Sequence, residues 1–389
     1  MSSPAATGRT PAGAKARPDF ERIALLLQGG GALGAYQAGV YQALAEAGLQ
    51  PDWVAGISIG AINSALIAGN APEQRVERLR TFWETVSAPP LGIPSIASLE
   101  AQNDTHRLVL NQMRATAALL YGAPSFFHPR LPPPFLPADG PTTLSYYDTG
   151  PLKSLLGRLV DFDRINRRET RFSVGAVNIR TGNFTYFDNT THTIGPQHVM
   201  ASGSLPPGFP ATEVDGEHYW DGGLVSNTPL QWVLDAKPRL DTLAFQVDLW
   251  SARGELPRDM VEVDSRQKDI RYSSRTRAGT DSFRNAQALR RAAAKLLEQM
   301  PEALRQTPEA ALLAQNADHK VYNIIHTIYR AQRYESTCKD YEFSRRTMEE
   351  HWKAGYADMT RTLGHPEVLE RPTTVDGVFT FDLAVQGRD

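Results

Sequence analysis

Short apolar runs and helical apolar periodicity alternate near the start of the chain. The run RIALLL at residues 22–27 predicts a buried strand, and the apolar residues after it recur at the spacing of one helix face. Those helix-face residues are Tyr36, Val40, Leu44 and Ala47. A second strand, WVAGIS, and a second helix, AINSALIAGN, follow. Because strands and helices alternate with tight glycine turns, we expect an α/β fold with three layers, α/β/α, and a mainly parallel central sheet.

Strand patterns return after the middle of the chain. FSVGAVNI (172–179) and FTYFD (184–188) predict a hairpin or two adjacent strands, HYWDGG ends a further strand, and LAFQVDLW (243–250) predicts another. Beyond about residue 251 the pattern becomes charged and helical. One helix there is predicted to carry Leu289, Ala293, Leu296, Leu297 and Met300 on one face. A second long helix is predicted within residues 341–363.

These patterns divide the chain into three parts. Residues 1–20 are predicted to be a disordered tail, residues 21–250 an α/β domain, and residues 251–389 a charged, mostly helical C-terminal region. Within the α/β domain, residues 88–150 form a proline-rich insertion with a helix over about 98–121. The insertion's segment PSFFHPRLPPPFLP (124–137) fits a lid or membrane-contact loop and fits packing over a core edge equally well.

Composition narrows the class of protein. The net charge of −2 argues against a nucleic-acid partner, and the single cysteine, Cys338, excludes an intramolecular disulfide and a cysteine-rich zinc site. The tail lacks the apolar core of a signal peptide, and no run reaches the roughly 18 apolar residues of a membrane span. We therefore expect a cytoplasmic protein, with peripheral membrane contact left open. The basic stretch 264–295 fits a solvated helix better than a face for anionic lipid.

The stretch GISIG, residues 56–60, carries the first candidate for chemistry. A G-x-S-x-G sequence between a strand and a helix is typical of a nucleophile elbow, in which glycines let the strand and helix pass each other and the serine projects from a strained turn. Ser58 is the candidate nucleophile, and Gly56 and Gly60 are the elbow glycines. The helix N-terminus after Ser58 also favours developing negative charge.

A glycine-rich turn, GGGALG, ends the first strand. Backbone N–H groups of Gly29, Gly30 and Gly31 are exposed there without intervening side chains, which suits an oxyanion hole, and Gly34 opens the following helix. The same glycines match a dinucleotide-binding fingerprint, which needs an acidic residue at the end of the second strand. Asp52 begins that strand instead, so the nucleotide hypothesis is the weaker one.

The partner of Ser58 is predicted to be a carboxylate. None of the nine histidines lies in a setting typical of a catalytic base. Asp221 follows an aromatic-rich strand and precedes Gly222 and Gly223, in a turn open to close approach. A carboxylate in that position can accept the serine proton directly, although Asp-Gly is also a common turn pair.

Together, GGGALG (29–34), GISIG (56–60) and DGG (221–223) resemble the patatin-like phospholipases, in particular bacterial members with an additional C-terminal region. The segment ASGSLPPGFP (201–210) is also similar to the family's stretch ahead of the Asp block. The resemblance covers about residues 22–250 and implies a patatin-like catalytic domain. It implies an oxyanion hole at the first block, a nucleophile at Ser58, and a dyad completed by Asp221. The chain departs from the family at Leu33, where members often carry Lys or Arg.

The resemblance implies a serine acylhydrolase that cleaves carboxylic esters of lipids, of the phospholipase A or lipid acyl hydrolase type. No cofactor or metal is required for this chemistry, and the expected partners are a lipid or other ester substrate, with the oligomeric state open. Two alternatives stay open: a catalytically silent protein that binds lipid or a partner, and a His-dependent α/β-hydrolase. The ester, its acyl position, calcium dependence and the role of the C-terminal region are left undetermined.

Overall fold

The computed structural model describes residues 17–89, 101, 103–130, 140–273 and 276–382. Most of the predicted tail, and residues 131–137 of the predicted lid, lie outside this part of the chain. The strands are β1 (Arg22–Leu27), β2 (Trp53–Ile57), β3 (His128–Pro129), β4 (Tyr147–Asp148), β5 (Arg171–Asn178), β6 (Phe184–Asp188), β7 (Thr212–Val214), β8 (Glu217–Asp221), β9 (Thr242–Asp248), β10 (Tyr322–Ile328) and β11 (Val378–Phe381). The helices are α1 (Ala35–Glu46), α2 (Ile59–Ala68), α3 (Arg75–Val86), α4 (Asp104–Tyr121), α5 (Gly150–Leu159), α6 (Phe162–Asn166), α7 (Pro196–Ser202), α8 (Leu230–Leu234), α9 (Met260–Tyr272), α10 (Thr276–Gln299), α11 (Glu302–Arg305), α12 (Pro308–Asn316) and α13 (Arg345–Leu363).

A mixed sheet forms the centre of the described structure. Its strands run in the order β11-β10-β9-β1-β2-β5-β8-β7, and β6 pairs with β5 off this path. Neighbours from β11 to β5 are parallel. By contrast, β6 and β8 run antiparallel to β5, and β7 runs antiparallel to β8. The mainly parallel sheet is confirmed, and of the two arrangements predicted for β5 and β6, a hairpin or two adjacent strands, the structure has the hairpin. Within the described residues no helix combines the length and apolarity needed to cross a membrane.

The register of β5 brings the ends of two strands together. Residues 173–177 of β5 pair with β6 on one edge, so β2 and β8 share the opposite edge. There Ile57, the last residue of β2, pairs with Gly175, and Asp221, the last residue of β8, pairs with Ala176. Because β2 and β8 run in opposite directions, their C-terminal ends meet. This places the residue after Ile57 beside Asp221.

Both faces of the sheet are apolar. On β1, Ile23, Leu25 and Leu27 join the larger core, which includes residues of α1, α2 and α3. Ala24 and Leu26 point to the other face and join a smaller core with residues of α8 and α10. All five side chains are at most 1% exposed. Burial on both faces is the physical reason for the continuous apolar run that predicted this strand.

The C-terminal region is mostly helical, as expected, and it also supplies β10 and β11, which the sequence analysis missed. Both strands extend the sheet beyond β9. The pattern of β10 is interrupted by the buried polar residues Asn323 and His326. The Asn323 amide satisfies its burial by donating to the carbonyl oxygens of Val368 at 2.9 Å and Glu370 at 2.7 Å. A pattern of apolar positions along the sequence does not predict such tertiary hydrogen bonds.

The apolar face expected on the first C-terminal helix is not the face that the protein buries. In α10, Leu289 is 73% exposed and Leu296 is 61% exposed. Phe283 and Gln287 are buried instead. The Gln287 amide donates to the Asp318 carboxylate and to the Lys320 carbonyl oxygen. A hydrogen-bonded polar side chain therefore occupies a buried position, and two leucines are left outside.

The second long C-terminal helix, α13, is confirmed and packs closely on α1. The two helices approach at Gly39 of α1 and Gly355 of α13. A Cβ atom at Gly39 would overlap the Trp352 carbonyl oxygen, and one at Gly355 would overlap the Tyr36 carbonyl oxygen. Since α1 follows directly on the glycine turn, this contact ties the C-terminal region to the first of the three motifs.

Gly355→Ala is expected to destabilise the protein by about 3 kcal/mol, because the added methyl group forces the two backbones apart. Gly157→Ala is the matched control: Gly157 lies within α5, and no atom lies within 4 Å of the position that its Cβ atom would take. That control should be neutral or stabilising by up to about 1 kcal/mol. Urea unfolding of both variants checks this, and equal stabilities would contradict a tight crossing.

Candidate active site

Ser58 lies in a strained turn between β2 and α2. Its backbone has φ 55° and ψ −122°, a conformation that a residue with a side chain rarely adopts. Its side chain makes no capping hydrogen bond with α2, although Ser58 holds the N-cap position. The helix therefore does not use the hydroxyl, which is available for another partner at a helix N-terminus that favours negative charge.

Gly56 and Gly60 are required by the close passage of β2 and α2. A Cβ atom at Gly56 would overlap the Gly60 carbonyl oxygen, and a Cβ atom at Gly60 would overlap the Leu27 carbonyl oxygen. Two further motif glycines are similarly confined. A Cβ atom at Gly34 would overlap the Ile59 side chain, and one at Gly222 would lie 2.6 Å from the Gly175 carbonyl oxygen. Steric exclusion therefore accounts for glycine at each of these positions.

Asp221 is buried at the end of β8 and hydrogen-bonds the Ser58 hydroxyl. Its Oδ1 also accepts from the Gly223 N–H at 2.7 Å. Burial raises the pKa of the Asp221 carboxyl to about 7, while the hydrogen bonds from Ser58 and Gly223 act in the opposite direction. A carboxyl with a pKa near neutrality is suited to accept and return a proton at physiological pH.

The segment before β7 forms hydrogen bonds with both Ser58 and Asp221. The sequence analysis did not predict these contacts. Ser202, at the end of α7, accepts a hydrogen bond from the Ser58 N–H at 3.0 Å, and its hydroxyl donates to the Gly175 carbonyl oxygen at 2.6 Å. The Ser204 carbonyl oxygen accepts from the Asp221 N–H at 3.0 Å. The segment ASGSLPPGFP, noted for its resemblance alone, thus bridges Ser58 and Asp221 through hydrogen bonds.

The glycine turn lies beside Ser58, and its three glycines have different settings. The Gly29 N–H donates to the Asn227 carbonyl oxygen at 3.3 Å, and the Gly29 carbonyl oxygen accepts from the Asn227 amide at 3.0 Å and the Trp250 indole at 2.8 Å. Gly31 has φ 55°. Among the described residues, no acceptor is paired with the N–H groups of Gly30 and Gly31. Gly29 therefore anchors the turn, and the next two N–H groups are available to a ligand.

Asn227 and Trp250 both hydrogen-bond the glycine turn, and the sequence analysis missed them although the position of each in the chain gave a signal. Asn227 follows the DGG block by four residues, and Trp250 follows the C-terminal end of β9. Because the ends of parallel strands meet at one edge, a residue after β9 is expected near the ends of β1 and β2. The contacts of both side chains with Gly29 follow from that placement.

The C-terminal region completes the wall of the site. The Asp340 carbonyl oxygen accepts from the Ala32 N–H at 2.8 Å, directly after the glycine turn. The Asp340 carboxylate is paired with Lys268, 2.7 Å from the Lys268 Nζ atom. Nothing in the sequence near Asp340 predicted this contact. The region's role, undetermined from the sequence, includes holding the glycine turn from outside.

Ser58, Asp221 and the glycine turn open into a cavity of about 290 Å³. Its wall is largely apolar and aromatic: Ile59, Ile62, Leu119, Phe126, Phe127, Tyr147, Leu152, Met200, Leu205, Phe209, Trp250, Tyr272, Tyr341 and Phe343. Of the described residues in this wall, none is a histidine, lysine or arginine. Phe126 and Phe127, each 5% exposed, come from the segment predicted as a lid or as packing, and the described part of it packs inward.

The other sequence hypotheses are less well supported by the geometry. Asp52 lies at the opposite edge of the sheet, where its carboxylate accepts from the Ile23 N–H at 2.7 Å, so it is far from the glycine turn that a dinucleotide would use. Leu33 is fully buried, so the site carries no side-chain charge at that position. Cationic residues of the stretch 264–295, such as Lys268 and Arg290, pair with the protein's own carboxylates.

Comparisons with known proteins identify the family of this chain. A model of the patatin-like phospholipase family matches residues 25–234, and a second model, described as patatin phospholipase, matches residues 270–375. Lysophospholipase nte1 of Aspergillus terreus (strain NIH 2624 / FGSC A1156) is 48% identical over 62 residues, 14% of this chain and 4% of that protein, so the chain spans only a small part of that relative. The crystal structure of VipD from Legionella pneumophila aligns over 95% of this chain and 73% of that chain, with TM-score 0.38 and 16% identity. Because the first model covers more than half of this chain, the chain belongs to the patatin-like phospholipase family.

Proposed function

We propose that the protein is a lipid acyl hydrolase that cleaves carboxylic esters through a Ser58–Asp221 dyad. The observation that carries the proposal is the strained Ser58, hydrogen-bonded to a buried carboxylate at the base of an apolar cavity. Family membership supports a lipid ester as the substrate class. The apolar wall supports an acyl chain as the part of the substrate that enters the cavity.

In the first half of the proposed reaction, Ser58 Oγ attacks the ester carbonyl carbon while the Asp221 carboxylate takes the hydroxyl proton. The carbonyl oxygen becomes an oxyanion. We assign its stabilisation to the N–H groups of Gly30 and Gly31, with Gly29 anchoring the turn through Asn227. The protonated Asp221 then gives its proton to the departing alcohol oxygen, and an acyl-serine remains.

In the second half, a water molecule attacks the acyl-serine and Asp221 takes a proton from it. The same N–H groups hold the second oxyanion, and Asp221 returns the proton to Ser58 as the fatty acid leaves. A pKa of about 7 for Asp221 suits both directions of this transfer, because the group is readily ionised and readily reprotonated near neutral pH.

Fluorophosphonate labelling tests the proposal without knowledge of the ester. The wild-type protein is expected to be labelled at Ser58 alone, identified by mass spectrometry of the modified peptide, because a phosphonate mimics the tetrahedral intermediate. Prior ionisation of Asp221 should make labelling faster at pH 8 than at pH 5. Labelling at another serine would contradict the assignment of Ser58 as the nucleophile. No labelling, with or without lipid vesicles, would favour a catalytically silent binding protein instead.

A further inference from the structure

Several of the large apolar residues of helix α4 lie on the side that faces away from the protein. Val109, Met113, Thr116 and Leu120, spaced four, three and four residues apart, form one stripe, which we call the α4 outer face. Val109 is 52%, Met113 43% and Leu120 63% exposed. The buried positions of the same helix are Asn111, Arg114, Ala115 and Ala118. A helix on a water-exposed surface normally has the reverse arrangement, with its apolar stripe inward.

The α4 outer face is also free of charge over three turns. Between residues 108 and 121 the only charged side chain is Arg114, which is 9% exposed and points inward. The Thr116 hydroxyl donates to the Gln112 carbonyl oxygen at 2.8 Å, so the helix itself satisfies the polar group in the middle of the stripe. The surface therefore offers a partner apolar contact without ionic attraction.

This face is continuous with the mouth of the cavity. Leu119, at the end of α4, is 43% exposed and also lines the cavity. The Tyr147 hydroxyl, from the cavity wall, donates to the Leu119 carbonyl oxygen at 2.9 Å. Leu144 and Tyr146, close by in the same segment, are 53% and 45% exposed. The exposed apolar surface thus leads from the outside of α4 to the cavity that contains Ser58.

We propose that the α4 outer face docks the protein onto a lipid surface and so places the cavity mouth against the lipid. The choice of a lipid surface over a protein partner rests on the continuity of this face with the cavity and, in that respect, on the proposed function. An interfacial segment with its apolar side in the headgroup region leaves the opposite side in contact with the protein, as α4 does. Exposed tyrosines beside the mouth, Tyr121 and Tyr146, suit the boundary between apolar and aqueous phases.

Because the docking face is uncharged, the binding is expected to be insensitive to salt and to occur on zwitterionic phosphatidylcholine vesicles. This distinguishes the proposal from attachment through the basic stretch 264–295, which would require anionic lipid. Several cations of that stretch are already engaged: Lys268 with Asp340, Arg284 with Asp376, and Arg290 with Asp235.

The test compares two double variants of the full-length protein. Met113→Asp/Leu120→Asp charges the docking face without altering a residue of the cavity wall. Leu289→Asp/Leu296→Asp is the matched control, since these leucines are exposed on α10, another long helix, and belong to neither the cavity nor α4. Flotation with phosphatidylcholine vesicles measures binding, and turnover of a short-chain soluble ester measures the chemistry separately.

The docking variant is expected to lose about tenfold or more of its vesicle partition coefficient, with equal loss at roughly 0.05 and 0.5 M salt. The control should bind like the wild type, and both variants should turn over the soluble ester normally. Equal flotation of the wild type and both variants overturns the docking proposal. If the soluble ester is still turned over in that case, the proposed function is unaffected. Loss of flotation in the docking variant alone supports docking, even if no ester is cleaved. The absence of ester cleavage would contradict only the proposed function.

Sedimentation velocity tests the alternative that a second copy of the chain covers the α4 outer face. If the wild type is a dimer, the docking variant a monomer, and vesicle binding is unchanged, then the α4 outer face is an interface between copies of the chain and the lipid proposal is wrong. A wild type and docking variant of equal mass, combined with selective loss of flotation, supports the lipid surface. Tryptic stability of both variants confirms that the comparison is between folded proteins.

Discussion

Ser58→Ala is expected to lower ester turnover by about 10⁴-fold to 10⁶-fold while the protein stays folded. The substitution removes the only oxygen that the proposed reaction acylates. The backbone strain at φ 55° is the same for serine and alanine, so the turn should survive the change. Turnover of a soluble ester, measured beside thermal unfolding, checks both parts of the expectation.

Ser64→Ala is the matched control for this loss. Ser64 lies on the same helix, α2, and its hydroxyl is buried with no hydrogen-bond partner among the described residues. Its removal should leave turnover unchanged and leave stability equal or slightly higher, because an unpaired buried hydroxyl is unfavourable. Retained turnover in a pure, folded Ser58→Ala protein would exclude Ser58 as the nucleophile.

Asp221→Asn is expected to have two opposite effects: turnover falls by about 10³-fold to 10⁴-fold, and stability above pH 7 rises. An amide cannot accept the Ser58 proton, which accounts for the loss of turnover. Wild-type turnover should rise with pH through about 7, where Asp221 ionises, and then level off. The variant's residual turnover should lack that inflection, and a pH–rate profile of both proteins measures the difference.

The stability effect has a definite sign. Burial raises the pKa of Asp221 from the ordinary 3.8 to about 7, so between these values the folded protein holds a proton that the unfolded chain has lost. The wild type should therefore lose stability as pH rises from about 4 to 7, in total on the order of 4 kcal/mol at 1.36 kcal/mol per pH unit. An asparagine carries no such cost at any pH.

Urea unfolding at pH 5 and pH 8 separates these cases. The advantage of Asp221→Asn over the wild type should be small at pH 5 and larger at pH 8, where the wild type must keep a buried charge. The same advantage at both pH values would mean that the buried carboxyl is not responsible. A wild type that becomes more stable than the variant at pH 8 would contradict the raised pKa itself.

The C-terminal region shows how contacts distant in sequence shape the site. Asp340 holds the backbone next to the glycine turn, and Gly355 lets α13 approach the helix that follows this turn. Neither residue lies in a motif. Each acts through a backbone group, and backbone contacts leave no pattern of apolar or charged side chains in a sequence.

The sequence by itself determined the elements whose causes are local. Apolar runs predict the buried strands. The elbow at Ser58 and the glycine turn need glycine where two backbone segments pass closely, so GISIG and GGGALG were sufficient to predict them. Asp221 was predicted as the partner from its turn and from family resemblance. What brings it to Ser58 is the register of β5, which pairs Gly175 with Ile57 and Ala176 with Asp221.

Only the tertiary structure decided the rest, because burial depends on which elements pack together. The pattern of α10 placed Leu289 and Leu296 on one apolar face, and the packing of this helix through Phe283 on Tyr322 of β10 leaves both leucines exposed. The outward apolar stripe of α4 has the same periodicity as an inward one, since a repeat of apolar positions defines a face without saying which side meets the protein. The pKa of Asp221 is likewise a tertiary property: an Asp-Gly turn is normally exposed, and burial at the junction of two strands makes its carboxyl a candidate base.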